Sequence, residues 1–323
     1  MSYRFNDQEM IPVGIKRITD EQIDSAIYKL TRSIRANRAN AIHDARKHFK
    51  KLRALVRLVR DEVGHDAYKR ENVCFRDAGR KLSDVRDAEV RVETFDTLVA
   101  HYQESIDPEL FQGIRHVLVE AYEATRKSEG PSEQDIAAIV SDLEAARTRI
   151  QSWGIQDDWH ALQDSLHRVY KRGYRDFADA CENATPEQLH EWRKRVKYLW
   201  YHLRILSPIW PKVMKTLKKQ TKKLADLLGD DHDLTVLRNF IADDPEAFSD
   251  DEQLGVLLAL IQRRQLELQT QARFLGQRLY AEKPKAFVAR LESYWYAWRS
   301  ETSQPSVLVS QSSMNDAFEC ANA

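Results

Sequence analysis

Two segments of the chain place the same cationic side chains behind a histidine. Residues 43–52 and residues 190–199 both follow the pattern H-[DE]-x-R-K-x-x-K-x-L. Arginine presents a planar fork to two anion oxygens, lysine presents a point charge, and histidine can donate a hydrogen bond to an anion oxygen. Each segment could therefore hold an anion that carries several charges. A divalent metal ion is disfavoured there, because the surrounding arginine and lysine side chains would repel it.

A second shared pattern follows each of these motifs. Residues 82–90 and residues 228–236 both read L-[GS]-x-x-x-D-x-x-V at an offset of 146, and the two histidine motifs lie 147 positions apart. Two matching patterns in the same order predict a chain built from two related halves. Residues 230–233 form an Asp-Asp-His-Asp cluster, of which the first copy keeps only Asp84 and Asp87. We interpret these repeated acids as structural residues that open a helix, where a carboxylate suits the N-terminal dipole, rather than as metal ligands.

The composition is typical of an all-α protein. The 323 residues include only 10 glycines and 9 prolines, 31% are charged, and long stretches repeat with the helical period instead of alternating as strands do. No apolar run is long enough to span a membrane, and the first residues do not form a signal peptide. The three cysteines are far apart, which argues against a disulfide framework or a structural zinc site. We therefore expect a cytoplasmic protein without a membrane segment.

The charges balance overall but are unevenly distributed along the chain. There are 50 Lys and Arg residues against 50 Asp and Glu residues. Residues 45–57 and residues 212–223 nevertheless hold six Lys or Arg residues each and no acid, whereas residues 226–252 are rich in acids. Like charges on one helix face repel each other by a few tenths of a kcal/mol per pair, roughly. A sequence that keeps this cost on several helices is expected to offset it with a bound polyanion.

The cations of each motif share one face of a helix with the motif histidine, and apolar residues occupy the opposite face. Cationic faces recur on four other predicted helices, two of them as shorter pairs of arginines, Arg76 with Arg80 and Arg32 with Arg35. No catalytic residue, metal ligand or cofactor is predicted. The candidate polyanion-binding residues are His43, Arg46, Lys47, Lys50, Lys51, Arg53, Arg57, Arg76, Arg80, Arg168, Lys171, Arg172, Arg175, His190, Arg193, Lys194, Lys197, Tyr201, Arg204, Lys215, Lys219 and Lys222.

Capping and breaking signals divide the chain into helices. Thr19 with Gln22 predicts the start of the first helix, and Thr185 with Pro186 predicts the start of the helix that carries the second motif. After the lysine-rich helix, a separate short helix is expected from Asp230. The resulting division is an irregular arm at 1–18, a first helical repeat at 19–130, a second at 131–303, and a tail at 304–323 that we expect to be disordered.

The paired motifs, over about residues 15–303, resemble the CHAD domain family (conserved histidine α-helical domain). The resemblance implies two pseudo-symmetric four-helix bundles with basic helices around a central groove or pore. It also implies binding of inorganic polyphosphate and association with polyphosphate granules, without an established enzymatic activity. Some relatives carry an N-terminal triphosphate tunnel domain (CYTH). The short arm leads us to expect a stand-alone member, with polyphosphate and granule-associated proteins as partners.

Three other functions stay open at this point. A nucleic-acid-binding protein would share the basic faces, but zero net charge and the lack of a recognisable nucleic-acid motif make such binding non-specific at most. A metal-dependent phosphohydrolase is suggested by His43-Asp44 and by residues 230–233, although the second motif has Glu191 where an HD pattern needs aspartate. A scaffold could bring partners to granules through the acidic residues 226–252 or through the tail.

Overall fold

The computed structural model describes residues 3–82, 84–127, 131–248 and 251–301, with the side chains of 84–87, 127 and 251 left aside. All regular secondary structure within these ranges is helical, and no described helix is both long and apolar enough to cross a membrane. The α-helices are α1 Ile11–Thr31, α2 Arg38–Leu58, α3 Arg60–Val63, α4 His65–Arg80, α5 Asp84–His101, α6 Gln112–Lys127, α7 Glu133–Gln151, α8 His160–Glu182, α9 Pro186–Ile205, α10 Pro211–Asp243, α11 Asp251–Leu279 and α12 Pro284–Glu301. The all-α prediction is confirmed.

Two helix starts follow directly from local capping chemistry. The Thr185 side chain accepts a hydrogen bond from the Gln188 backbone while the Gln188 side chain bonds back to the Thr185 N–H, and Pro186 occupies the first turn of α9. Ser132 and Asp135 form the same reciprocal arrangement at the start of α7. Each capping residue contributes about 1 kcal/mol to its helix. Local interactions therefore determine where α9, the helix that carries the second motif, begins.

The predicted start of the first helix at Thr19 is wrong. Helix α1 begins at Ile11, and the arm before it is therefore shorter than the predicted residues 1–18. The Thr19 hydroxyl is fully buried and donates to the Ile15 carbonyl one turn earlier, as a hydroxyl in a helix interior does. The cap comes instead from a distant part of the chain, because the Asp157 carboxylate accepts the N–H of Ile11 at 2.8 Å.

The predicted helix break at Asp230 is also wrong, since α10 runs unbroken for 33 residues. Asp231 is buried with 2% of its surface exposed, and its carboxylate accepts a hydrogen bond of 2.9 Å from Gln269 of α11. The Thr235 hydroxyl donates to the Asp231 carbonyl within the same helix. Asp230 and Asp233 therefore do not open a helix here, because they lie in the interior of α10, where their neighbour Asp231 packs against α11. The predicted tail at 304–323 lies outside the described residues.

The apolar faces of the two motif helices are buried, as their periodicity predicts. On α2, Leu52 and Leu55 are fully buried, and on α9 Trp192 and Leu199 are fully buried, as is Leu206 directly after the helix. Truncating such core side chains typically costs about 2–5 kcal/mol, which fixes the rotation of each helix about its axis. The main neighbours are α1 and α4 for α2, and α8 and α10 for α9. The cationic faces are thereby turned away from the core. The division into two related halves stays a prediction.

Candidate anion-binding site

The two motif helices meet, although their motifs lie 147 residues apart. The buried His202 of α9 bonds through Nε2 to the Ala54 carbonyl of α2 at 3.0 Å. Near this contact, the Arg57 guanidinium lies 4.1 Å from the centre of the Tyr198 ring. Lys197 lies close enough to Lys50 for the charge of Lys50 to lower its pKa. We call this region the crossing of α2 and α9.

Each motif also contacts the second pattern of its own half. On the first side, the Arg46 guanidinium donates to the Leu82 carbonyl at 3.4 Å. On the second side, the Arg193 guanidinium lies 3.7 Å from the position that a Cβ atom would occupy on Gly229. The rings of His190 and His232 pack against each other with their centres 4.7 Å apart. The repeated patterns are therefore packing partners in three dimensions.

Burial and crowding change the ionisation of the cations at the crossing. Burial lowers the pKa of Lys197 to about 7, and the charges of Arg193 and Lys50 add to this effect against the opposing influence of Asp233 and Asp226. Burial also lowers the pKa of Arg193, while Asp233 and Asp230 act in the opposite direction. The surroundings of Lys197 and Arg193 therefore disfavour the positive charge of these side chains. This is expected at a site where the negative charge of a bound anion stabilises them.

Several polar atoms at the crossing have no hydrogen-bond partner among the described residues. They are the Nε atoms of Arg57 and Arg193 and the Nδ1 atom of His190, all of them buried. Leaving such a group unsatisfied costs about 1–3 kcal/mol. The same guanidinium and imidazole groups would gain compensation from anion oxygens bound beside them.

A second cationic cluster lies on the Lys51 side of α2. The Arg204 guanidinium packs over the rings of Tyr3, at 5.1 Å, and Trp200, at 4.9 Å. Burial lowers the pKa of Lys51, and the charges of Arg204 and Lys47 lower it further. Tyr201, predicted on the cationic face, is only 9% exposed and packs its ring edge-on against Tyr3. Tyr201 therefore contributes to the cluster through ring packing.

Two members of this cluster were not predicted from the sequence, and a third forms an ion pair with an acid. Burial lowers the pKa of Lys218, followed by the charges of Arg204, Arg4 and Lys215. Lys218 was not assigned to the cationic face of the lysine-rich helix, and Arg4 lies in the arm, outside any predicted helix. Lys222, which was predicted, lies 2.5 Å from Asp226 and is therefore already compensated by a carboxylate.

Helix α4 forms a wall beside the first motif. Between α2 and α4 lies an open cleft of about 280 Å³, and it brings five of the predicted residues together. Arg53 in this cleft donates to Asn72 at 3.2 Å, and Arg76 pairs with Asp77 at 2.8 Å. The five predicted residues lining the cleft are Arg46, Lys50, Arg53, Arg76 and Arg80.

The cations of α8 divide into paired and unpaired members. Arg168 pairs with Asp61 at 2.6 Å, and Arg175 pairs with Asp176 at 3.1 Å. Burial lowers the pKa of Arg172, and the surrounding arginines, first among them Arg195, lower it further. Arg172 is therefore the α8 residue that faces uncompensated positive charge.

Carboxylates already compensate part of the predicted set. The residues paired with a carboxylate are Lys47, Arg76, Arg80, Arg168, Arg175, Lys194 and Lys222. Within the part of the chain that the structure describes, no ion pair with a carboxylate forms at Lys51, Arg53, Arg57, Lys171, Arg172, Arg193, Lys197, Arg204, Lys215 or Lys219. The predicted residues Lys171 and Lys219 are exposed, and no described contact links them to the two clusters. His43 is half-buried on α2, beside Asp44, which pairs with Lys29 at 2.9 Å.

The structure does not assemble the metal centre that residues 230–233 could suggest. Among the described residues, no group of three or more His, Cys, Asp or Glu side chains is arranged to hold a metal ion. Asp231 points towards Gln269, whereas His232 packs on His190 and Asp230 lies near Arg193. This cluster is divided between core packing and compensation of the motif cations.

Comparison with known proteins agrees with this architecture. The chain is similar to the crystal structure of the CHAD domain from the plant Ricinus communis, with 16% sequence identity, a TM-score of 0.52, and coverage of 91% of this chain and 94% of that one. At this identity the match establishes the fold. Curated protein sequences yield no match to the chain. The family model for the CHAD domain matches residues 17–242, which is more than half of the sequence. The protein therefore belongs to the CHAD domain family.

Proposed function

We propose that this protein binds inorganic polyphosphate at the crossing of α2 and α9 and in the adjoining cleft, without catalysing a reaction. One observation carries the proposal: Lys50 of the first motif and Arg193 and Lys197 of the second converge at the crossing. Arg193 and Lys197 do so without an ion pair to any described carboxylate. A bound polyanion would supply the negatively charged partners for Arg193 and Lys197.

The chemistry of polyphosphate suits this surface. Each phosphate along the chain carries about one negative charge and offers oxygens to Arg and Lys donors, with no base to be recognised. The cations lie on several rigid helices, so that a flexible ligand can contact them in succession. Neutralising phosphates releases counterions, and affinity should therefore fall steeply with salt. Membership of the CHAD family, which is commonly linked to polyphosphate binding, supports the same ligand.

A nucleic-acid ligand is less well supported by the aromatic residues near the cations. Trp200 is half-buried, one side of its ring is covered by Arg204, and Tyr201 packs beside it with the ring centres 4.7 Å apart. Tyr198 is likewise covered by Arg57 at 4.1 Å. Binding of single strands usually needs an open ring on which bases stack, so the covered rings favour polyphosphate over a nucleic acid.

The proposal also includes residence at polyphosphate granules in the cytoplasm, with granule-associated proteins as further partners.

The test is calorimetric titration with long-chain polyphosphate at two salt concentrations, with orthophosphate and single-stranded DNA as control ligands. The variant that alters the crossing, here called the groove variant, combines Lys50→Glu with Lys197→Glu. Charge-assisted hydrogen bonds are worth about 1.5–3 kcal/mol each, so losing two should weaken binding by at least about 100-fold. A matched control combines Lys283→Glu with Lys285→Glu, two exposed residues at the start of α12 with the same change in net charge.

The proposal predicts that the groove variant loses binding while the α12 variant keeps most of it, with helix content unchanged by circular dichroism in both. Equal losses in the two variants would indicate a non-specific effect of net charge. Unchanged affinity in the groove variant would refute the site. A phosphate-release assay with Mg²⁺ or Mn²⁺ tests the hydrolase alternative, and turnover there would overturn the non-enzymatic part of the proposal.

A further inference from the structure

Lys197 occupies an unusual position among the cations of the crossing. Its side chain is half-buried on α9 and makes no ion pair with a carboxylate among the described residues. Charged and titratable groups face it from its own helix and from two others. They are His190 and Arg193 of α9, Lys50 of α2, and Asp226, His232 and Asp233 of α10.

Desolvation and like charge outweigh the two acids around this amine. Burial lowers the pKa of Lys197 to about 7, and Arg193 and Lys50 contribute in the same direction. An ordinary lysine, with a pKa near 10.4, is almost entirely charged at pH 8, whereas about nine-tenths of the Lys197 amine is neutral at that pH. Without a bound anion, the site therefore lacks most of this positive charge at pH 8.

We propose that polyanion binding at the crossing is proton-linked through Lys197, whose amine takes up a proton from solvent as the polyanion binds. This inference rests on the proposed function. Anion oxygens beside the amine favour its charged form and offset both the burial and the charges of Arg193 and Lys50. The internal phosphates of polyphosphate carry no proton near neutral pH. The proton comes from the buffer, and Lys197 changes from –NH₂ to –NH₃⁺.

The two neighbouring histidines are further from protonation at pH 8 than Lys197 is. Burial lowers the pKa of His232 to about 4, and burial also lowers the pKa of His190. Both rings are therefore neutral above pH 7 in the unbound protein, and they take up protons at pH 8 only if binding raises their pKa values to about 8 or more. The Lys197 variants keep both rings, so the difference in proton uptake between these variants and the wild-type protein reports on Lys197.

The experiment is calorimetric titration with long-chain polyphosphate at pH 8 in two buffers whose ionisation enthalpies differ widely. The slope of the observed enthalpy against the buffer enthalpy gives the number of protons taken up, expected to be about 0.9 per bound site. If the bound amine regains its ordinary pKa, the affinity should fall about eightfold between pH 7.5 and 8.5, beyond any change seen in the variants below.

Two variants remove the titration in opposite ways. Lys197→Arg keeps a permanent charge and is expected to bind polyphosphate at pH 8.5 more tightly than the wild-type protein, without proton uptake. Lys197→Met removes the charge and should bind more weakly, again without proton uptake. Lys285→Arg, on the exposed surface of α12, should keep the wild-type slope.

The results separate this inference from the proposed function. If no polyphosphate binds to the wild-type protein, the proposed function fails. If it binds without proton uptake, or if Lys197→Arg takes up as many protons as the wild-type protein, the linkage is refuted and the site remains. Loss of the slope in both Lys197 variants, with the slope retained in Lys285→Arg, would establish the linkage.

Discussion

Protonation of His202 should destabilise the fold at the contact that joins the two motif helices. The imidazole is fully buried, and its Nε2 lies 3.0 Å from the Ala54 carbonyl. The other ring nitrogen, Nδ1, is buried with no hydrogen-bond partner among the described residues. A proton added to Nδ1 would create a buried charge without a partner. Burial accordingly lowers the pKa of His202 to about 3, with the bond to Ala54 acting in the opposite direction and the charge of Arg57 adding to the effect.

The sign and size of the effect follow from linkage. The pKa of His202 is lower in the folded state than its unfolded value of 6.5, so the unfolded state binds more protons below that pH. The stability that depends on a neutral His202 is complete above pH 6.5 and is lost as the pH falls towards 3. Each pH unit in this range corresponds to about 1.4 kcal/mol, and the loss from this residue at pH 5 is therefore about 2 kcal/mol.

Urea denaturation of the wild-type protein and of His202→Gln at pH 8 and pH 5 measures this contribution. Glutamine can place an amide near the position of Nε2 and donate to Ala54 but does not titrate. The variant should be less stable at pH 8, because it fills the space less well. The drop in unfolding free energy between pH 8 and pH 5 should be smaller in the variant by about 2 kcal/mol. An equal drop in both proteins would refute the argument, since His48, His190 and His232 titrate in both.

Two further predictions concern the core that holds the site. Glu71 is fully buried and accepts two hydrogen bonds of 2.7 Å from the Arg149 guanidinium. Glu71→Gln should therefore lower the unfolding free energy by about 3 kcal/mol, as measured by urea denaturation. A change under about 1 kcal/mol would contradict this prediction. A Cβ atom on Gly276 would lie 2.7 Å from the Phe177 ring, so Gly276→Ala should cost about 1–2 kcal/mol despite its better helix propensity. On the same helix, the matched control Gly255→Ala has open space and should stabilise by up to about 1 kcal/mol, and equal effects of the two changes would refute the packing argument.

Local patterns were sufficient wherever the relevant interactions lie within one or two helical turns. The capping box at Thr185 was predicted because both of its hydrogen bonds join residues three positions apart. The buried faces of α2 and α9 were predicted because a period of 3.6 places their apolar residues on one side. The same reasoning failed at Thr19 and Asp230. The N–H of Ile11 at the true start of α1 binds the distant Asp157, and Asp231, next to Asp230, binds the distant Gln269.

The sequence by itself determined the helical class, the buried faces of the motif helices and the repeated cationic motifs that indicate the family. Only the tertiary structure decided which cations meet. It places Lys197 beside Lys50, which belongs to another helix, and it gives Arg168 of α8 the carboxylate of Asp61 from α3, whereas Lys197 has no such ion pair among the described residues. The physical reason is that helix formation depends on neighbours along the chain. The cost of a charge depends instead on burial and on every group nearby, and those groups come from helices far apart in sequence.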